Sequence, residues 1–192
     1  GIVKGALFAF FKVVYRAKIV GTENIPKDGA LIFCGNHRSY LDPPLIEATG
    51  KRNMRFLAKE ELYNNKFLAF LGWVFEAIPV KRDEKDVAAI KTSLKELKDG
   101  KCIALFPEGT RNGIKKGLKP KTGVAYFALN SNATVIPVGI KGGEKPFKKA
   151  TITYGKPLDL EGYKGNKELK KDKEILVEVT GKIMEKIIEL AK

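Results

Sequence analysis

The stretch "GALIFCGNHRSYLDPPLIEATG", residues 29–50, predicts one unit in which a buried strand runs through a polar loop into a short helix. The run "ALIFCGN" is short and mostly apolar, as expected of a strand covered on both faces. Two prolines open the run "PPLIEATG" and Gly50 closes it, which is the usual order at the two ends of a helix. The loop between strand and helix contains His37, the only histidine of the chain, five residues before Asp42.

Strands and helices alternate along most of the chain. Further strands are predicted in the runs "AKIVG", "NMRFLA", "FEAIPV", "KCIALFP", "TVIPVGI" and "ATITYGKP". Helices are predicted in "KEELYNNKFLAFLGW", "EKDVAAIKTSLKELKDG", "VAYFALNSN" and the long carboxyl-terminal run "NKELKKDKEILVEVTGKIMEKIIELAK". The alternation predicts a single α/β domain over residues 19–192, with a largely parallel mixed sheet flanked by helices. Sites in such sheets form in loops at the carboxyl ends of strands, so the loops after "ALIFCGN" and "KCIALFP" can converge there.

The charge of the chain favours an anionic partner. There are 36 Lys and Arg residues against 22 Asp and Glu residues, a formal charge of +14 over 192 residues. Nucleic acid, an anionic membrane surface and an acidic carrier protein all fit this balance, and charge alone does not choose among them. Arginines are more informative than the abundant lysines, because their rigid fork suits phosphate or carboxylate. Three of the six arginines lie in motif-like places: Arg38, Arg82 and Arg111.

The two cysteines, Cys34 and Cys102, both fall inside apolar, strand-like runs. This placement predicts buried, reduced and unreactive thiols rather than a disulfide framework. A reducing, cytosolic setting is therefore favoured.

Residues 1–18 predict an amphipathic helix that lies in a membrane interface. The segment has neither the cleavage pattern of a signal peptide nor the run of about 20 apolar residues needed to cross a bilayer. One predicted face carries the apolar residues Ile2, Val3, Ala6, Leu7, Ala9, Phe10, Val13 and Val14. The other carries Lys4, Lys12, Arg16 and Lys18, with Phe8, Phe11 and Tyr15 beside them. The extra aromatic residues favour membrane contact over the alternative, an ordinary helix packed on the domain.

The spacing of His37 and Asp42 is typical of a catalytic base with an orienting carboxylate. A histidine can accept a hydroxyl proton near neutral pH, and a carboxylate on its other ring nitrogen stabilises the imidazolium that forms. The alternatives are a loop histidine bonded to backbone and a helix cap at Asp42. Pro43 and Pro44 weaken the capping alternative because they lack the N–H groups that a cap would serve.

The run "FPEGTR", residues 106–111, follows a predicted buried strand. Gly109 allows a tight bend, and Arg111 can bind a phosphate at two points. A plain turn with a surface arginine is the alternative. No nucleotide-binding glycine motif and no metal-binding spacing of Cys and His is present, so no metal is predicted.

Four stretches resemble the sequence blocks of the 1-acylglycerol-3-phosphate acyltransferases. They are "NHRSYLDPP", "GWVFEAIPVKRD", "FPEGTR" and "VIPVGI", in the family's order across residues 20–157. The chain departs from the family pattern at Arg38, where a neutral residue is more frequent, and at Asn112, where serine is frequent. The resemblance implies that His37 takes the proton of an acceptor hydroxyl and that Asp42 orients His37. The acceptor oxygen would then attack an acyl thioester directly, with no acyl-enzyme intermediate.

The resemblance also implies a binding site for the acceptor and its phosphate, formed by Arg111, Glu108, Gly109, Thr110, Arg82 and Lys59. For Lys59 a solvated surface lysine is the alternative, since the chain is rich in lysine. No bound cofactor is implied. The acyl donor would be acyl-CoA or acyl-acyl carrier protein, and the partners a lysophospholipid and an anionic membrane surface, without nucleic acid.

The function that the resemblance implies is acylation of 1-acylglycerol 3-phosphate to phosphatidate, at the cytoplasmic face of the cell membrane by a peripheral or monotopic protein. Glycerol 3-phosphate or another lysophospholipid is the alternative acceptor. A basic nucleic-acid-binding protein is the alternative of another class, although no recognised binding module occurs in the sequence. A hydrolase is disfavoured because no nucleophile motif is present.

Overall fold

The computed structural model describes residues 2–81, 86–143, 145, 147–164 and 171–192. The strands are β1 Lys18–Val20, β2 Leu31–Gly35, β3 Met54–Lys59, β4 Ile78–Val80, β5 Cys102–Leu105, β6 Thr134–Gly142 and β7 Ala150–Tyr154. The α-helices are α1 Ile2–Val14, α2 Asp42–Thr49, α3 Lys66–Val74, α4 Val87–Lys98, α5 Gly123–Asn130, α6 Glu161–Lys164 and α7 Lys173–Leu190. Short 3-10 helices cover Thr22–Asn24, Glu60–Asn64 and Ile114–Lys116.

The strands form one sheet in the order β1-β7-β6-β2-β5-β3-β4. The neighbours from β6 through β2, β5 and β3 to β4 are all parallel, whereas β7 pairs antiparallel with β6 and parallel with β1. The predicted fold, a largely parallel mixed sheet in an α/β domain, is confirmed.

Helices cover both faces of the sheet, and the central strand β2 shows why. Its side chains are fully buried and alternate between two hydrophobic cores. Leu31 and Phe33 belong to the core shared with α1 and α2, whereas Ile32 and Cys34 belong to the core shared with α4, α5 and α7. A strand buried on both faces needs a continuous apolar run, which is the pattern of the sequence here.

The predicted helix over residues 59–73 is wrong in its first half. Lys59 instead ends β3, the 3-10 helix Glu60–Asn64 follows, and α3 begins at Lys66. Asn65 between them is extended, and its carbonyl accepts the amide N–H of Ala69. Asparagine favours such boundary positions because its side chain competes with backbone hydrogen bonds inside helices.

Two other boundaries also differ from prediction. The strand predicted over residues 75–80 is reduced to β4, because Glu76 has a positive φ of 47° and lies in a turn. The last helix begins at Lys173 rather than at residue 166, and residues 166–170 of that prediction lie outside the described residues. Asp172 marks its start, since its carboxylate accepts the amide N–H groups of residues 174 and 175.

Helix α1 packs on the domain through aromatic residues that the sequence analysis placed beside its basic face. Phe11 and Tyr15 are buried in the core, and Leu7 and Val14 pack against it. Lys4, which the sequence analysis grouped with the other basic residues of this helix, contacts the domain: its Nζ donates to the Arg52 carbonyl at 2.8 Å and lies 3.5 Å from a Glu47 oxygen. The outer face still exposes apolar side chains, namely Ile2, Val3, Phe8, Phe10 and Val13.

Among the described residues, no helix is both long enough and apolar enough to span a bilayer. Both cysteines are buried and free of disulfide bonds, as predicted. Burial raises the pKa of the Cys34 thiol far above its usual range and also raises the pKa of Cys102, so both thiols are unreactive.

Two glycine-to-alanine substitutions should change stability in opposite directions. At Gly139 in β6 a Cβ atom would overlap the backbone of Leu190, so α7 would have to shift and about 1–3 kcal/mol of stability should be lost. At Gly181 in α7 no atom lies within 4 Å of the added Cβ, so Gly181→Ala should gain about 0.5–1 kcal/mol through helix propensity. Urea unfolding of both variants measures this. A Gly139→Ala variant as stable as the parent would contradict the packing of α7 on β6.

Candidate active site

The loops after β2 and β5 leave the same edge of the sheet because the two strands are parallel neighbours, with Cys34 opposite Leu105. Asn36 extends the pairing of β2 with β6: its side-chain amide donates to the Ile140 carbonyl at 2.9 Å, and its oxygen accepts the Ile140 amide at 2.7 Å. The predicted convergence of the two polar motifs is therefore confirmed, although 71 residues separate His37 from Glu108.

His37 and Asp42 form a direct pair. The His37 Nδ1 lies 3.2 Å from Asp42 Oδ2, and Asp42 is buried at 2% exposure. The same oxygen accepts the amide N–H groups of Arg38 at 2.5 Å and Ser39 at 2.6 Å. The carboxylate is thus directed back into the loop, and α2 begins after Leu41 without a side-chain cap. The capping alternative for Asp42 is excluded by this geometry.

The orientation of the imidazole follows from its partner. Asp42 Oδ2 already accepts two amide protons, so its contact with Nδ1 requires that Nδ1 carry the ring proton. Nε2 then has a lone pair to offer. The ring stacks on Phe106 with centroids 4.2 Å apart and lines a cavity at the strand ends. The arrangement can accept a proton from a hydroxyl bound in that cavity.

Glu108 joins the two loops through the backbone. Its carboxylate is buried at 6% exposure, with Oε1 accepting the His37 amide at 2.9 Å and Oε2 accepting the Ile114 amide at 3.0 Å. The Asn112 amide donates to the His37 carbonyl at 2.6 Å, which adds a second bond between the loops. In the described residues Glu108 holds backbone groups rather than Arg111. Its predicted place in acceptor binding stays a prediction.

Gly109 makes the turn that the sequence suggested. Its φ of +66° lies in the left-handed region, and its amide donates to the Phe106 carbonyl at 2.9 Å. An added Cβ would also press on the side chain of Lys121. Gly109 and Thr110 both line the cavity beside His37.

Arg111 lies at the same cavity in contact with Tyr40, a residue that the sequence analysis missed. The Arg111 Cζ lies 3.8 Å from the centre of the Tyr40 ring, and Nη2 donates to the Tyr40 hydroxyl at 3.0 Å. The signal was present, since Tyr40 is an aromatic residue inside the loop between His37 and Asp42. Its partner could not be inferred without the sheet order.

The other basic residues named in the sequence analysis lie at different places in the structure. Lys59 ends β3 and lines the cavity, as its strand-end position suggested. Arg82 lies outside the described residues. Arg38 donates from Nη1 to the Gly142 carbonyl at 2.9 Å, and its Nη2 lies 3.8 Å from Asp42 Oδ1. Arg38 therefore ties the histidine loop to the end of β6.

The cavity has a volume of about 210 Å³ and is largely apolar apart from His37, Lys59 and Arg111. Its apolar wall was missed by sequence reasoning and consists of Pro43, Pro44, Phe56, Ala58, Leu62, Tyr63, Phe75 and Ala77. The alternation of Phe56 and Ala58 along β3 was the available signal. A larger cavity of about 780 Å³ lies at the amino ends of β3 and β5, and Phe75 lines both cavities. Within the described ranges, no three His, Cys, Asp or Glu side chains form a group that could hold a metal ion.

Comparison with known proteins places these residues in a family. Residues 16–141 match the family model described as Acyltransferase. The chain is 30% identical over 147 residues to the 1-acyl-sn-glycerol-3-phosphate acyltransferase of Bacillus subtilis (strain 168), covering 73% of this chain and 73% of the relative. It is 32% identical over 136 residues to the protein of that name from Borreliella burgdorferi, covering 70% of this chain and 54% of the relative.

A solved structure agrees with the sequence relatives. The crystal structure of PlsC, the 1-acyl-sn-glycerophosphate acyltransferase of Thermotoga maritima, aligns with a TM-score of 0.68 at 27% identity. The alignment covers 95% of this chain and 78% of that one. The four sequence blocks, the parallel sheet and these relatives agree, and the chain belongs to the acyltransferase family.

Proposed function

We propose that this protein transfers an acyl group from an acyl thioester to the free sn-2 hydroxyl of 1-acylglycerol 3-phosphate, giving phosphatidate. The observation that carries the proposal is the His37 imidazole, held by buried Asp42 in a cavity that Arg111 also lines. The names of the Bacillus and Thermotoga relatives support the same acceptor. A donor thioester of coenzyme A or of acyl carrier protein meets the chemical requirement.

The chemistry needs one base and no covalent intermediate on the protein. His37 Nε2 takes the proton of the sn-2 hydroxyl as the oxygen attacks the thioester carbonyl. The C–O bond forms, the C–S bond breaks, and the departing thiolate takes the proton back from the imidazolium. Asp42 stabilises that imidazolium through Nδ1, and its backbone contacts keep the carboxylate aligned during the cycle.

The cavity separates the two ends of an amphiphilic substrate. Arg111 and Lys59 offer cationic groups for the acceptor phosphate, with Arg82 as a further candidate from the sequence. The apolar wall formed by side chains such as Phe56, Leu62 and Phe75 suits an acyl chain. Glu108 contributes indirectly by holding the backbone of both loops. A phosphate at one end and a hydrocarbon at the other match a lysophospholipid.

The exposed apolar face of α1 supports attachment to an anionic membrane surface. Val13 is 72% exposed and Phe8 is 40% exposed, beside the outward-facing cations Lys12, Arg16 and Lys18. This combination is the pattern of a helix lying in a lipid interface. Peripheral attachment at the cytoplasmic face, where thioester donors are made, would bring the lipid acceptor to the cavity.

His37→Ala should lower kcat by about 100-fold or more, since it removes the base. Asp42→Asn should be less severe, because an amide oxygen can still accept the backbone N–H groups while the carboxylate charge is lost. Steady-state transfer with lysophosphatidate measures both, and thermal unfolding confirms that each variant is folded. A folded His37→Ala protein with near-normal turnover would exclude the mechanism.

Arg111→Lys keeps the charge of the side chain and removes its fork. A loss of about 1 kcal/mol of phosphate binding would raise the KM for lysophosphatidate about fivefold. The KM for the acyl donor should move much less. Equal increases for both substrates would mean that Arg111 serves the donor or the fold instead.

The double substitution Phe8→Ser and Val13→Ser should weaken binding to anionic vesicles without disturbing the buried side of α1. Each outward-facing cation contributes about 1 kcal/mol of binding free energy near such a surface, and salt screens this contribution. Because the substitutions reduce the apolar contribution, the residual binding of the variant should depend more strongly on salt. Vesicle co-sedimentation at two salt concentrations measures this. The matched control is Val177→Ser on α7, which is 62% exposed. Equal losses in control and variant would contradict a specific role for α1.

A further inference from the structure

The guanidinium of Arg111 rests on the ring of Tyr40. The distance from Arg111 Cζ to the ring centre is 3.8 Å, and Nη2 also donates to the Tyr40 hydroxyl at 3.0 Å. Tyr40 is 51% exposed and lines the same cavity as His37. A stacked and hydrogen-bonded pair of this kind sets both the position and the plane of the arginine fork.

The backbone at Arg111 is held by its loop, but its long side chain needs a separate restraint. The neighbouring Asn112 amide donates to the His37 carbonyl, which ties the loop to the base. In the part of the chain that the structure describes, the hydrogen bond and the ring contact of the guanidinium are both with Tyr40. Without them the side chain would sample several rotamers, and ordering it on ligand binding would cost free energy.

We propose that Tyr40 is a positioning residue that holds Arg111 ready for the phosphate of the acceptor, and thereby favours phosphate-bearing acceptors over neutral ones. This rests on the proposed function. Tyr40, Arg111 and His37 line one cavity, so a phosphate bound to the positioned guanidinium lies in the same cavity as the base.

An aromatic partner suits this task better than a carboxylate. A guanidinium has five N–H donors, and stacking on a ring face uses none of them. The hydrogen bond to the Tyr40 hydroxyl uses one, so four remain for a phosphate. A carboxylate partner would instead occupy the fork and neutralise its charge. Tyr40 therefore restrains Arg111 while leaving its charge and most of its donors to the ligand.

The first measurement compares Tyr40→Ala with Tyr40→Phe on two acceptors of equal chain length, lysophosphatidate and monoacylglycerol. Loss of an exposed cation–π contact should raise the KM for lysophosphatidate about two- to tenfold in the alanine variant. Its kcat, and its kcat/KM for monoacylglycerol, should change less than about twofold, so selectivity for the phosphate falls. The phenylalanine variant keeps the stacking and should recover most of the affinity.

The second measurement tests whether Tyr40 acts through Arg111. Tyr40→Ala is combined with Arg111→Ala, and the two single variants and the double variant are compared. If Tyr40 works by positioning the guanidinium, the tyrosine substitution should have little further effect once Arg111 is gone. Independent, multiplicative effects on KM would overturn the proposal.

The chain offers a matched control in a second tyrosine–cation pair far from the site. Lys182 Nζ lies 4.8 Å from the ring centre of Tyr163 and also donates to its hydroxyl. Tyr163→Ala should leave the KM for lysophosphatidate and the acceptor selectivity unchanged. A change equal to that of Tyr40→Ala would show that the Tyr40 effect is general destabilisation, which would also overturn the proposal.

Calorimetric titration with sn-glycerol 3-phosphate separates this proposal from the proposed function. The parent protein should bind the soluble phosphate ester, and Tyr40→Ala should bind it about two- to tenfold more weakly. If the parent transfers no acyl group to lysophosphatidate, the proposed function fails, and the titration still tests Tyr40. If Tyr40→Ala binds the ester as tightly as the parent, the positioning role of Tyr40 is excluded, whatever the activity.

Discussion

The buried carboxylate of Glu108 is the interaction on which the site depends. Its two oxygens accept one backbone amide from each loop, at His37 and at Ile114. A buried charged group left without these donors would be strongly destabilising, so the carboxylate and both loops hold each other in one arrangement. The backbone segments that carry the base and Arg111 consequently keep a fixed separation, although they are far apart in sequence.

The site combines buried residues that hold its backbone in place with exposed residues that a ligand can reach. Asp42 and Glu108 are buried and bond to backbone amides, which holds the base and the loops in place. Arg111 and Tyr40 are exposed at the cavity, where a ligand can reach them. Buried carboxylates suit a structural task because their hydrogen bonds are not weakened by water, whereas a phosphate-binding arginine has to exchange partners.

The sequence predicted most of the elements and the placement of the chemistry. Apolar runs identified the central strands, and His37, Asp42 and the "FPEGTR" turn were correctly expected at the ends of β2 and β5. The boundary error near Asn65 arose where an extended residue interrupts a predicted helix, and the one near Glu76 arose where a turn interrupts a predicted strand. The contact of Lys4 with a backbone carbonyl and with Glu47 was not predicted, because helical periodicity carries no information about such long-range contacts.

By itself the sequence determined the strand–loop–helix units, the types of reactive side chain and their positions at strand ends, since these depend on local patterns of apolar residues, prolines and glycines. Only the tertiary structure decided which groups meet. Whether Glu108 faces His37, and whether Tyr40 faces Arg111, depends on β2 lying beside β5, a pairing between segments 71 residues apart. Strand order is set by the packing of the whole sheet and its helices, and no local pattern encodes it.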